Sequence, residues 1–310
     1  MKVAVMGATG VLGRAAIPAL LAAGHVVRAA ARDEAKANLL RRLGAEPVSA
    51  ELFDAPGLRT LIAGADAVVN LATRIPALAT MWRAAAWRQN DRIRGEGARL
   101  LVDAALDGGV RVVVQESVTF VYRDRGDEWI DEASPLASGA ARLNSAFIAE
   151  REAARFAGPD RRGVVLRFST LYGPDAPGTI DIARLVRRRL FPIAGDGRQY
   201  YSSIHAEDAG AAIAASLGAT SGVYNVGDDE PLRMAVYVRG IADALGASRP
   251  RHLPAALVRL LGAEFLLLRS QRVSNARLRA LGWRPRYPNA TEGWRAIAER
   301  WRVREGVAAA

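Results

Sequence analysis

The chain has 310 residues, 43 Lys and Arg against 32 Asp and Glu, a formal charge of +11, and a composition that is half hydrophobic. That size and apolar content allow one large core, or one and a half domains, and exclude a disordered chain. With no cysteine present, disulfides, thiolate nucleophiles and Cys-ligated metals are excluded, and a cytoplasmic location is expected.

Lysine occurs only at Lys2 and Lys36, so the excess charge is almost entirely arginine, densest at Arg187, Arg188 and Arg189. No stripe of basic and aromatic residues accompanies it, which disfavours nucleic acid as a partner. The N-terminal segment lacks the long apolar run and small-residue cleavage site of a signal peptide. The most apolar later stretch, 257–268, is interrupted by Arg259 and Glu264, so no membrane association is expected.

The first 120 residues alternate short apolar runs with helical patterns. Strands are predicted at 2–8, 26–32, 46–50, 67–72 and 111–117, and helices at 11–23, 34–43, 55–63 and about 82–107. Apolar runs without strict alternation suit a parallel sheet buried on both faces. The repeated strand–helix order predicts an α/β fold, a doubly wound parallel sheet of the Rossmann type. The second half continues with a strand at 163–173 and helices near 178–190, 206–217, 232–245, 254–268 and 290–304. Short strands are expected near 200–204 and 222–226. The division expected is a dinucleotide-binding domain over 1–172 that also receives about 200–228, and a smaller interleaved substrate lobe over 173–310.

Gly7, Gly10 and Gly13 follow the first strand directly and open a helix. In that context the triplet reads as a dinucleotide site. Gly7 permits the tight turn, Gly10 admits a pyrophosphate to the backbone, and Gly13 allows close packing of helix on strand. At the end of the second strand, an NAD site wants an acid for the ribose hydroxyl and an NADP site wants arginine for the 2′-phosphate. Arg32 stands there with Lys36 a turn later, which favours NADP(H) over NAD(H). Asp33 reads as a helix cap.

The ordered series GATGVLG (7–13), DAVVNLA (66–72), RVVVQESVTFVY (111–122), VLRFSTLYGPD (165–175), SSIHAEDAGAAI (202–213), VYNVGDDEP (223–231) and LGWRPR (281–286) resembles the extended short-chain dehydrogenase/reductases, the NAD-dependent epimerase/dehydratase family. The resemblance implies that Gly7, Thr9, Gly10, Val11, Leu12 and Gly13 cradle the pyrophosphate. It implies that Glu51 and Leu52 flank the adenine, and that Leu71, Ala72 and Thr73 line the path to the nicotinamide. Tyr172 and Gly173 would begin the link to the lobe, with His205 and Asp208 at the return. His205 reads as structural.

The match fails at the proton. The family carries a serine or threonine after the fifth strand and a Tyr-x-x-x-Lys motif on the next long helix. Here no tyrosine lies between Tyr122 and Tyr172, and no lysine follows Lys36. Alignment places Arg142, Ser145 and Ala146 at the motif's tyrosine, serine and lysine, Arg94 at a neighbouring asparagine with Asn90 a turn earlier, and Val118 at the strand-end hydroxyl. Ser117, Thr119 and Tyr122 are the substitute catalytic candidates, beside an arginine that stabilises an anion without shuttling protons.

The sequence therefore supports an NADP-dependent oxidoreductase of a small carbonyl or alcohol, with no metal. A non-catalytic NADP(H)-binding redox sensor is the alternative. Sugar-nucleotide epimerisation or dehydration is disfavoured, because it needs the absent tyrosine repeatedly. Arg187 to Arg189 would suit an anionic substrate or form a solvated basic face of the helix. Trp129 and Ile130, on an acidic loop after the fifth strand, would either exclude water from the nicotinamide or anchor the loop. The 254–268 helix is assigned to the core, with a substrate cover or a homodimer contact as alternatives.

Overall fold

The structure is a computed structural model that describes residues 1–77, 80–81, 83–137 and 143–309. The elements of the first half are β1 (Lys2–Met6), α1 (Val11–Ala22), β2 (Val26–Ala31), α2 (Glu34–Arg42), β3 (Glu46–Ser49), α3 (Ala55–Ile62), β4 (Ala67–Asn70), α4 (Ala84–Arg92), α5 (Ala98–Asp107), β5 (Val112–Val118), β6 (Trp129–Ile130) and α6 (Asn144–Phe156). Then come β7 (Arg162–Phe168), β8 (Thr170–Tyr172), α7 (Pro177–Arg187), β9 (Ile193–Ala194), β10 (Tyr200–Tyr201), β11 (Ser203–His205), α8 (Ala206–Ser216), β12 (Gly222–Val226), β13 (Leu232–Arg233) and α9 (Met234–Ala244). The chain ends with β14 (His252–Leu253), α10 (Ala255–Leu260), α11 (Glu264–Leu267), β15 (Arg272–Val273), α12 (Ala276–Arg279) and α13 (Ala290–Ala309).

Seven strands form one parallel sheet in the order β12-β7-β5-β4-β1-β2-β3. The order reverses at β1, so the crevice outside the C-terminal ends of β1 and β4 is the expected ligand site. Each face buries its own core. Val3, Val5, Val69 and Val114 join α1 and α8 residues such as Ile17 and Ile213 on one side. Ala4, Val68 and Val113 join Leu58, Leu61 and Leu101 on the other. This is why the strands read as unbroken apolar runs. A separate core of Tyr172, Ile193, Tyr237, Ile241, Trp294 and Ile297 holds the C-terminal lobe.

Four predicted elements differ in detail. The strand at 163–173 breaks after Phe168: the Ser169 N–H turns to the Val226 carbonyl at 2.8 Å, and β8 leaves the main sheet to pair with β11. The helix at 254–268 divides into α10 and α11 around Gly262, whose φ of 66° no right-handed helix accepts. The helix near 178–190 ends at Arg187, with Arg189 in the left-handed region at φ 60°. The long helix before β5 contains a π-helical turn at Ile93–Gly97 that joins α4 to α5.

Candidate active site

The glycine turn is built as its spacing requires. Gly7 has φ 78°, and a Cβ on it would lie 2.5 Å from the Ala72 nitrogen and 2.6 Å from the Leu71 oxygen. A Cβ on Gly13 would lie 2.3 Å from the Ala8 oxygen, so α1 could not rest on the turn. Gly10 is different: its Cβ would meet only the Gly7 oxygen at 3.3 Å. Its glycine is therefore explained by room for something outside the protein backbone. Gly10 is also the N-cap of α1, with no side-chain cap, and the first intrahelical bond runs from Arg14 N–H to Gly10 O at 3.0 Å. The N–H groups of Val11, Leu12 and Gly13 thus lie in the first turn, where helix geometry gives them no intrahelical acceptor and a partial positive charge. Thr9 precedes the cap and is exposed only in part. The cradle fits a pyrophosphate.

Around it, Arg32 is exposed just beyond β2. Lys36 is tied to the Asp33 carboxylate, which also caps α2 through the Lys36 N–H at 2.9 Å. These contacts, largest among them the Lys36 ammonium, hold the Asp33 carboxyl below the usual range. Among the described residues, Arg32 is thus the one of the two cations not held by an ion pair. Glu51 is exposed, whereas Leu52 is buried in the core on the α3–α5 face. Leu71 is buried beside Gly7, the Ala72 N–H donates to Asn70 Oδ1 at 3.2 Å, and Thr73 is half-buried.

The end of β5 is organised differently. Ser117 is fully buried, and its hydroxyl donates to Glu150 Oε1 on α6 at 2.6 Å. Arg167 on β7 grips the same carboxylate with two bonds of 2.8 and 2.6 Å. Tyr122 is also fully buried; its hydroxyl donates to Asn225 Oδ1 at 2.8 Å. Burial pushes its pKa up to about 12, although the Arg167 guanidinium, 4.8 Å from the ring centre, pulls the other way. Both hydroxyls thus hold up the scaffold. Thr119 is buried, and its carbonyl accepts from Tyr122 N–H at 3.1 Å and Gln271 Nε2 at 3.2 Å. Among the described residues no partner holds its hydroxyl.

At two positions of the resemblance, the strand-end hydroxyl and the lysine, the structure has an apolar cluster. Val118 and Phe147 pack against buried Val121, Tyr122, Ile130, Ala146 and Val273. Ser145 donates to Asp91 Oδ1 at 2.7 Å. Arg142 lies outside the described residues. Arg94, in the π-helical turn, is buried and paired with Glu116 at 2.6 Å. Asn90 is buried and accepts the Arg74 N–H at 3.0 Å. Sequence reasoning missed the Glu116–Arg94 and Glu150–Arg167 pairs. Their only signal was charge inside otherwise apolar strands.

Ile130 does not cover a nicotinamide: it is fully buried in β6, which pairs with β15. Trp129 is half exposed and carries the Arg272 guanidinium 4.1 Å above its ring. Both anchor the loop. His205 caps α8 by accepting the Glu207 N–H at 3.3 Å, and burial lowers its pKa to about 4. Asp208 receives the Arg286 and Tyr287 N–H groups at 2.7 and 3.1 Å and binds the last part of the chain to α8. Among the described residues, no group of His, Cys, Asp and Glu could hold a metal ion.

A parallel Rossmann sheet, a glycine turn at its switch point and an interleaved lobe define a dinucleotide-binding protein of the short-chain dehydrogenase/reductase type. The chain belongs to the NAD dependent epimerase/dehydratase family, whose sequence profile matches residues 3–227. It is 36% identical over 308 residues to the 3-diazoavenalumate denitrifying reductase of a Streptomyces species, covering 94% of this chain and 99% of the relative. It is 28% identical to the 4-hydroxy-2-methyl-3-oxo-4-farnesyl-3,4-dihydroquinoline-1-oxide ketoreductase of Stigmatella aurantiaca, covering 79% and 74% of the two chains. The crystal structure of human epimerase family protein SDR39U1 with NADPH superposes with a TM-score of 0.79 at 25% identity, covering 96% of this chain and 99% of that one.

Proposed function

We propose that this chain is an NADPH-dependent reductase whose acceptor takes a hydride without needing a proton from the protein, and that the acceptor is a diazo group on an aromatic ring. The observation that carries this reading is the apolar cluster that takes in Val118 and Ala146, at the family's strand-end hydroxyl and lysine positions, with the Ser117 and Tyr122 hydroxyls turned into buried hydrogen bonds. The identity to a denitrifying reductase supports the choice of acceptor.

The backbone of Gly7, Gly10 and Gly13 and the first turn of α1 would hold the pyrophosphate, and Arg32 the 2′-phosphate. Bound NADPH would supply a hydride, and an aryl diazonium that accepts it at carbon becomes the arene while the C–N electron pair leaves with dinitrogen. That conversion balances with no proton taken up. A carbonyl reduced in the same place would need one on oxygen, and the buried Tyr122 phenol, with its pKa near 12 and its proton given to Asn225, does not offer it. Apolar Val118 and Phe147 would instead keep water from the reacting carbon.

Two competing readings share this geometry. Carbonyl reduction would rest on the Thr119 hydroxyl. A cofactor-binding sensor would follow from the same apolar wall with no substrate behind it. The test is NADPH consumption by the purified chain with an aryl diazonium carboxylate and, separately, a panel of ketones and aldehydes. The expected result is oxidation with the diazonium alone, with one dinitrogen and one arene formed per NADPH, above the rate without protein. Turnover of ketones would move the reading to carbonyl chemistry. Tight NADPH binding with no turnover of either would move it to the sensor.

A further inference from the structure

Among the stretches of the chain that carry arginine without any acid, two also bear strongly exposed leucines. Residues 182–195, between Asp181 and Asp196, hold Arg184, Arg187, Arg188 and Arg189. Residues 244–263, between Asp243 and Glu264, hold Arg249, Arg251 and Arg259. The fold sews these stretches together. β9 pairs with β14, Ile193 N–H donates to Arg251 O at 2.9 Å, and Gly195 N–H donates to Leu253 O at 2.8 Å. At the other end the Arg189 guanidinium donates to the Ser248 hydroxyl at 2.6 Å.

The same stretches bear the most exposed leucines. Leu260 is 81% exposed, Leu261 68%, Leu190 63% and Leu257 46%. Leu257, Leu260 and Leu261 are spaced three and four apart, so they share one side of α10 and the turn after it. Only Val258 in α10 is buried. Some arginines elsewhere on the surface are matched by carboxylates, as in the pairs Arg155–Asp103, Arg233–Asp127 and Arg304–Asp175. Here Arg184 pairs with Asp181, and among the described residues Arg187, Arg188, Arg249, Arg251 and Arg259 have no ion-pair partner.

We infer that this face docks on an anionic phospholipid surface, the leucines entering the boundary between headgroups and acyl chains and the arginines meeting lipid phosphate. Projecting leucines beside unpaired arginines are the composition that binds such an interface. A nucleic acid would match the charge but leave four leucines without a use, and no aromatic platform stands among them. Attachment of this kind is peripheral: among the described residues no helix is long and apolar enough to cross a membrane. α11, which follows α10, also touches the segment after β5. Phe265 on α11 stacks on Phe120 at 6.0 Å, and the Arg269 guanidinium binds the carbonyls of Phe120 and Tyr122 at the end of β5.

The test is flotation of the full chain with vesicles of phosphatidylcholine alone or mixed equally with phosphatidylglycerol. The expected result is salt-sensitive flotation with the mixed vesicles only. The double variant Leu260→Ser/Leu261→Ser should lose it, and Arg187→Ala/Arg188→Ala should weaken it about 10-fold or more. Both variants should keep the wild-type melting temperature and NADPH affinity, which separates lost docking from lost folding. No flotation with the mixed vesicles would overturn the inference. So would unchanged flotation of the leucine variant, a leucine-dependent dimer in light scattering, or RNA binding stronger than vesicle binding.

Discussion

The turn after β1 and the turn after β5 open at the same edge of the sheet, two strands apart, and they have diverged in what they keep. The first retains every feature a dinucleotide needs: a left-handed Gly7, an open Gly10 and an uncapped helix start. The second spends two of its hydroxyls internally, Ser117 on Glu150 and Tyr122 on Asn225. With Val118 and Ala146 in an apolar cluster at the strand-end and lysine positions, the proposed hydride transfer suits an acceptor whose reduction expels dinitrogen instead of waiting for a proton.

The largest effect that would sharpen this contrast is structural. Glu150→Ala leaves Arg167 buried without its carboxylate and should cost about 3–5 kcal/mol in urea unfolding. Next is a pH dependence. Folded His205 stays neutral down to about pH 4, while the unfolded side chain takes its proton near 6.5, so the unfolded state binds more protons in between. Stability from this group should fall by about 3 kcal/mol as pH drops from 6.5 to 4. Burial raises the carboxyls of Asp208 and Asp228, which act with the opposite sign. The effect is therefore read as the wild-type slope minus that of His205→Gln.

On the cofactor side, Gly10→Ala meets only a carbonyl at 3.3 Å and should fold normally, yet lose NADPH affinity by about 10–100-fold in calorimetry. Arg32→Glu should lose a similar factor for NADPH and little for NADH, about 2 kcal/mol for one charge-assisted contact. The smallest effects belong to the supposed donors. Ser117→Ala and Tyr122→Phe should each cost about 1–2 kcal/mol of stability. Neither should alter kcat or its pH profile; a large fall in kcat for Tyr122→Phe at full fold would return that phenol to the chemistry.

The pattern of these expectations follows what a sequence can display. The glycine turn and the alternation of strand and helix are written in local spacing, because a parallel strand buried on both faces and a turn at φ 78° each demand particular residue types. The break of 254–268 at Gly262 was also present in the sequence, though a glycine within an apolar helical pattern competes with the pattern itself. The use of Ser117 and Tyr122 was not legible. Glu150 lies 33 residues from Ser117 and Asn225 lies 103 from Tyr122, and nothing nearby in the chain marks either as the acceptor. The two-residue strands β6, β9, β14 and β15 are likewise made by tertiary pairing, too short to carry a period.

The central claim is that hydride moves here without a proton in flight. The most direct test is a pair of isotope effects on diazonium turnover, one with NADPH deuterated at C4 and one in deuterium oxide. The account predicts a primary effect from the labelled cofactor, no solvent effect on kcat, and a rate that is flat across neutral pH. A solvent effect of comparable size, joined to a rate that falls as a single group loses its proton, would contradict it and show that the protein supplies a donor after all.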